Sequence, residues 1–120
     1  MPRSTRSKSE PVRPAREARR PASISLSEFQ RLIERLYFKK DRRRGLAGTF
    51  MWFTEEVGEL AAALRDGSRP EIEAEFADVL AWLSTLASLA GIELDEAAAK
   101  YTGGCPVCRK SPCACPEPKP

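Results

Sequence analysis

Asp66 and Glu71 are separated only by Gly67-Ser68-Arg69-Pro70, and apolar residues recur at helical spacing on both sides of that joint. Phe53, Val57, Leu60 and Leu64 precede it; Ile72, Phe76, Val79 and Leu83 follow. Recurrence at three and four residues marks an amphipathic helix rather than a strand. Gly67 stops the first helix, and Ser68 caps the second, with Pro70 in its first turn and Glu71 closing a capping box. Two helices with so short a joint must fold back as an antiparallel hairpin. Every other feature of the chain has to fit that hairpin.

Upstream, Phe29, Leu32, Ile33, Leu36 and Tyr37 form a further helical stripe. Ser27 with Gln30 is the expected cap, Lys39 and Lys40 the expected end, and Asp41-Arg42-Arg43-Arg44-Gly45 the expected loop. The second helix is expected over 49–66, the third from 68 to about 91, and a short fourth over 95–101. No stretch alternates as a strand would. The expected fold is therefore an all-α small helical bundle of three main helices and a short fourth. About 75 ordered residues make a marginal core, so completion by homo-oligomerisation, as a dimer or tetramer, is expected. Trp52, Trp82 and Leu89 fall outside the main stripes and suggest a second apolar face toward a partner chain.

Three regions are expected. Residues 1–24 hold seven basic side chains, two acidic ones and four prolines, with almost no large apolar residue, which reads as a disordered basic tail. Residues 25–102 form the helical domain, and 103–120 a cysteine-rich tail. No apolar run reaches the roughly 18 residues of a membrane span, and no signal-type apolar segment opens the chain, so the expected location is the cytoplasm. The basic tail has no interleaved aromatic residue, which weighs against nucleic-acid binding. The remaining 13 basic and 15 acidic residues leave the helical part slightly acidic.

Five carboxylates, Glu55, Glu56, Glu59, Glu75 and Asp78, interrupt the two most apolar segments. At about 100° per residue, Glu56 and Glu75 lie about 60° from the centres of their apolar stripes, and Glu59 and Asp78 about 120°, all on the same side. Glu55 lies about 160° away. Two i, i+3 acidic pairs at matching positions on neighbouring helices repel one another unless a cation joins them. An all-oxygen set without a single His favours Mg²⁺ or Mn²⁺ over Zn²⁺. Solvated charges paired with Arg65, Arg69 or the basic loop are the alternative.

The pairing of EEVGE (Glu55–Glu59) with EFAD (Glu75–Asp78) resembles the E-E-x-x-E … E-x-x-D pattern of MazG-like nucleotide pyrophosphohydrolases, in the all-α NTP pyrophosphatase superfamily. The resemblance covers about residues 26–101. It implies Mg²⁺-dependent cleavage of a nucleoside triphosphate between the α and β phosphates, giving monophosphate and pyrophosphate. It also implies Glu56, Glu59, Glu75 and Asp78 as metal ligands, with Glu55 as a candidate catalytic residue that orients water, assists the metal or faces a partner subunit. Arg44 and Lys100 are candidates for phosphate contact, and Trp52 for stacking on a base. The chain contains no Asn, a departure from the polar residues that family members often place after the second motif. Two other readings stand beside this one: a superfamily enzyme restricted to dUTP or phosphoribosyl-ATP, and a non-enzymatic helical interaction module.

The tail reads C-x2-C-x4-C-x-C through Cys105, Cys108, Cys113 and Cys115. The first pair has the form of a zinc knuckle. In an extended chain Cys113 and Cys115 would point in opposite directions. Structural Zn²⁺ is the expectation, with a redox or disulfide role and a loose tail as the alternatives.

Overall fold

The structure, a computed structural model, describes residues 23–117. Helix α1 spans Leu26–Asp66, α2 spans Arg69–Leu89 and α3 spans Leu94–Ala98, followed by a 3-10 turn over Ala99–Tyr101. No strand occurs among the described residues. Nor is any single described helix long and apolar enough to cross a membrane. Nearly all of the expected basic tail lies outside the described residues.

The expected all-α fold is present, with its boundaries redrawn. Helix α1 continues through Asp41–Arg44, where a loop was expected, and is interrupted only at Gly45 (φ 81°, ψ 174°). That backbone region is open essentially to glycine alone, because a Cβ would collide with the flanking peptide units. Helix-forming Lys and Arg residues carry the α-helix up to this point, so the run of basic residues does not itself break it. Gly45 thus divides α1 into two arms, 26–44 and 46–66.

At its start α1 is capped by Ser25, whose hydroxyl accepts from the Glu28 N–H at 3.0 Å, and not by Ser27. Gln30 has a different task. Its side chain is fully buried, donating through Nε2 to Ser88 Oγ (3.1 Å) and the Ile92 carbonyl (2.8 Å). Its Oε1 accepts from the Leu94 N–H at 2.9 Å. A capping box at Ser27 would have used this amide at the helix end and left the turn between α2 and α3 without partners.

The α1–α2 joint follows the sequence. Glu71 Oε2 accepts from the Ser68 N–H (2.7 Å) and Ser68 Oγ from the Glu71 N–H (3.4 Å), which completes the capping box. Contacts then run antiparallel: Glu56 lies with Glu75 and Asp78, Trp52 with Trp82, Asp41 with Thr85, and Gln30 with Ser88. Beyond Trp52, α1 advances much further along its own sequence than α2 does. The Gly45 break lets the N-terminal arm pass across the end of α2.

The interior of the single chain is unusually polar. Among the described residues, Ile33 and Ala87 are the buried hydrophobic ones, whereas Gln30, Asp41, Thr49, Ser84 and Thr85 are buried and polar. Several positions expected to face the core, Val57, Leu64, Phe76 and Leu83, are exposed instead. The other four stripe-centre positions, Phe53, Leu60, Ile72 and Val79, are half-buried, so the helices pack toward the Trp52–Trp82 and Glu56–Glu75 side of the hairpin. Trp52 and Trp82, expected to face a partner, stack on one another within the chain with centroids 6.1 Å apart and planes 13° apart.

A three-carboxylate cluster beside a stacked tryptophan pair

The capped hairpin sets the register that brings Glu56 of α1 against Glu75 and Asp78 of α2. One oxygen from each of these carboxylates lies within 4.8 Å of the other two. Glu56 and Glu75 are half-buried and Asp78 is exposed, so the cluster opens from the helix interface to solvent. Burial pushes the Glu56 carboxyl above the ordinary carboxylate range. The charges of Asp78, Glu75 and Glu59 push the same way, while hydrogen bonding to Trp82 opposes them. Glu75 Oε2 is buried without a hydrogen-bond partner. An orphaned buried carboxylate oxygen is costly to leave uncompensated.

These observations test whether a divalent cation fits. Three carboxylates converge, one oxygen has no protein donor, and no Lys or Arg ion pair involves Glu56, Glu75 or Asp78 among the described residues. An all-oxygen donor set of this kind suits Mg²⁺ or Mn²⁺. Arg65 and Arg69, the expected alternative partners, pair with Asp66 and Glu73 instead. The residues present fit the cation.

Of the remaining sequence candidates, Glu59 is exposed and stands outside the three-residue group, although its charge is felt at Glu56. Glu55 is also exposed and outside it. Arg44 is held in place: its Nη1 donates to Asp41 Oδ1 at 3.1 Å and to Thr49 Oγ1 at 3.3 Å. Its guanidinium lies 4.7 Å from the centroid of the Trp82 ring. Behind it, the buried Thr85 hydroxyl donates to Asp41 Oδ2 at 2.9 Å. The order is Thr85, Asp41, Arg44, Trp82, Trp52, with the two indoles beside Glu56. Sequence reading missed Asp41, Thr49 and Thr85. Their only signal was polarity at positions where one helix meets another. Lys100 sits over the Tyr101 ring and lines a cavity with the cysteine loop.

Residues 45–108, just over half of the chain, match the MazG nucleotide pyrophosphohydrolase domain family. The chain belongs to the MazG nucleotide pyrophosphohydrolase family. No curated protein matches it. The matched region of this MazG domain begins at the helix break and contains all five carboxylates. Membership makes the chain a hydrolase acting on the acid anhydride of a nucleotide. MazG enzymes typically depend on a divalent metal, in keeping with the cluster.

The cysteine loop is a second group. The four Sγ atoms of Cys105, Cys108, Cys113 and Cys115 lie within 4.8 Å of one another. Cys113 and Cys115 do not diverge as an extended strand would require. The chain curls so that the Cys115 N–H donates to Cys113 Sγ at 3.3 Å. The backbone N–H groups of Cys108 and Val107 hold the Cys105 thiol down to about 6, and hydrogen bonding to Cys113 pushes Cys115 up to about 12.

Proposed function

We propose that this MazG domain is an Mg²⁺-dependent nucleoside triphosphate pyrophosphohydrolase that cleaves between the α and β phosphates, releasing monophosphate and pyrophosphate. The carrying observation is the convergence of Glu56, Glu75 and Asp78 around the partnerless Glu75 oxygen. These three side chains hold the cation, and Glu59 completes the set from its exposed position one turn along α1. When bound, Mg²⁺ offsets triphosphate charge and lowers the pKa of an attacking water. Arg44, fixed by Asp41 and Thr49, presents a cation on the tryptophan side of the cluster and steers the polyphosphate. Trp52 is 48% exposed even while stacked on Trp82, so an aromatic face stands ready for a nucleobase.

The same reading makes the working enzyme a homo-oligomer. Leu36, Tyr37, Phe50, Met51, Val57 and Phe76 are exposed while only Ile33 and Ala87 are buried hydrophobic residues among the described residues, a core too small to offset the ordering entropy of the chain. Light scattering of the purified chain should return a multiple of its 13.3 kDa mass.

The function is tested by incubating the full chain with Mg²⁺ and a panel of NTPs, dNTPs including dUTP, and phosphoribosyl-ATP, then resolving products by ion-exchange chromatography. Equimolar monophosphate and pyrophosphate are expected, and Glu75→Gln with Asp78→Asn should abolish them. Diphosphate plus inorganic phosphate, or release by the double variant at the original rate, would overturn the proposal. The substrate panel also separates a broad enzyme from one confined to dUTP or phosphoribosyl-ATP.

A further inference from the structure

The segment 105–117 contains no helix or strand, and Val107, its one large apolar side chain, is 66% exposed. Neither a hydrophobic core nor a backbone ladder orders it. Its organising feature is the cluster of four sulfurs, with Cys105 Sγ 3.8 Å from Cys115 Sγ and Cys108 Sγ 3.9 Å from Cys113 Sγ. A tetrahedral Zn²⁺ with Zn–S bonds of about 2.3 Å requires sulfurs about 3.8 Å apart along each edge. A disulfide requires about 2.0 Å and joins sulfurs two at a time, which gives no reason for all four to converge on one point.

The backbone is arranged around the same point. The Ala114 N–H donates to Cys108 Sγ at 3.4 Å and the Cys115 N–H to Cys113 Sγ at 3.3 Å, the donors a thiolate needs. The turn that presents Cys105 and Cys108 is closed by Arg109 N–H to the Cys105 carbonyl (2.7 Å) and Cys105 N–H to the Lys110 carbonyl (3.0 Å). Gly104 enters that turn at φ 99°, and a Cβ there would meet the Arg109 and Lys110 carbonyl oxygens at 3.2 Å. Four thiolates around Zn²⁺ carry a net charge of −2, and Lys100 and Lys110 line the cavity beside the cysteines.

We propose that Cys105, Cys108, Cys113 and Cys115 bind one structural Zn²⁺ that fixes the C-terminal loop onto the end of the helical domain. The residues matched to the MazG family stop at Cys108, so two of the four ligands lie beyond the matched domain. On binding, four Zn–S bonds form, and each thiol still protonated loses its proton to solvent. The site has no open position for substrate, which makes it structural. It is independent of the carboxylate cluster, whose oxygens favour a different metal.

The test uses the full chain, purified and passed over a metal-free desalting column. Elemental analysis should find one zinc per chain, and Co²⁺ exchanged into the protein should give the intense visible absorption of a tetrahedral thiolate site. Cys105→Ala with Cys115→Ala should lose both signals, while circular dichroism reports whether the helices survive. If that variant fails to fold, native thiol titration of the unaltered chain gives the answer: four slow thiols before chelation and four fast ones after. Zinc-free protein with four fast thiols, a mass showing disulfides, or zinc retained by the cysteine variant would each overturn the assignment.

Discussion

Thr85→Val tests whether the buried Thr85–Asp41–Arg44 chain ties the N-terminal arm of α1 to α2. Valine has nearly the shape of threonine, so the change removes a hydroxyl with little loss of packing. Thr85 is 5% exposed, and its hydroxyl donates at 2.9 Å to a carboxylate oxygen of Asp41, itself 5% exposed. A hydrogen bond to a charged partner contributes about 1.5–3 kcal/mol, and the change leaves the buried Asp41 Oδ2 without its donor. The Arg44 contact to Oδ1 remains and limits the loss, so about 2 kcal/mol is expected. In a domain of this size that lowers Tm by on the order of 10 °C. Urea denaturation followed by circular dichroism, at one fixed protomer concentration because association shifts apparent stability, measures it. Asp41→Ala should cost more, since it strands Arg44 as well. Adding Thr85→Val to Asp41→Ala should cost less than the same change in the unaltered chain, a coupling of about 1–3 kcal/mol. A single-variant loss under about 0.5 kcal/mol, or strict additivity in the cycle, would refute the network.

Gly45→Ala should destabilise by about 1–3 kcal/mol although no more distant part of the chain approaches the new methyl, because the cost lies in the local backbone at φ 81°; thermal denaturation reads it, and a neutral result would contradict the break. Arg44→Lys keeps the charge but loses the planar contact with Trp82, and should lower stability by about 0.5–1 kcal/mol. A matching loss of indole fluorescence perturbation is expected, and unchanged tryptophan emission would count against the stack. The raised Glu56 pKa sets a pH dependence in the metal-free protein. Its folded value lies above its unfolded one, so its contribution to stability is complete below the ordinary carboxylate range and disappears as pH rises through the raised value. Metal-free stability should therefore fall as pH rises out of the ordinary carboxylate range through the raised value, and Mg²⁺ should flatten that dependence; a fall of equal size with Mg²⁺ present would argue against Glu56 as a ligand.

The local sequence determined the hairpin. Gly67, Ser68, Pro70 and Glu71 act within one turn of the chain, and helical spacing of the apolar residues is a property of neighbours along the sequence, so both could be read without knowing the fold. The acidic pairs were legible for the same reason: a fixed rotation per residue puts Glu56 and Glu75 on one flank whatever else happens. Tertiary structure decided which of the four candidate ligands meet. Glu56, Glu75 and Asp78 converge while Glu59 stays outside, because helix placement selects among positions that periodicity treats alike. It also decided that the Asp41–Arg44 run is helix, that Gln30 joins three segments rather than capping one, and that Trp52 and Trp82 face each other. Each of these depends on a partner more than 25 residues away or on the left-handed backbone at Gly45. Spacing revealed four cysteines, but only the curl of the chain from Cys113 to Cys115 shows their sulfurs sharing one centre, since direction in a loop is set by backbone angles that sequence periodicity does not encode.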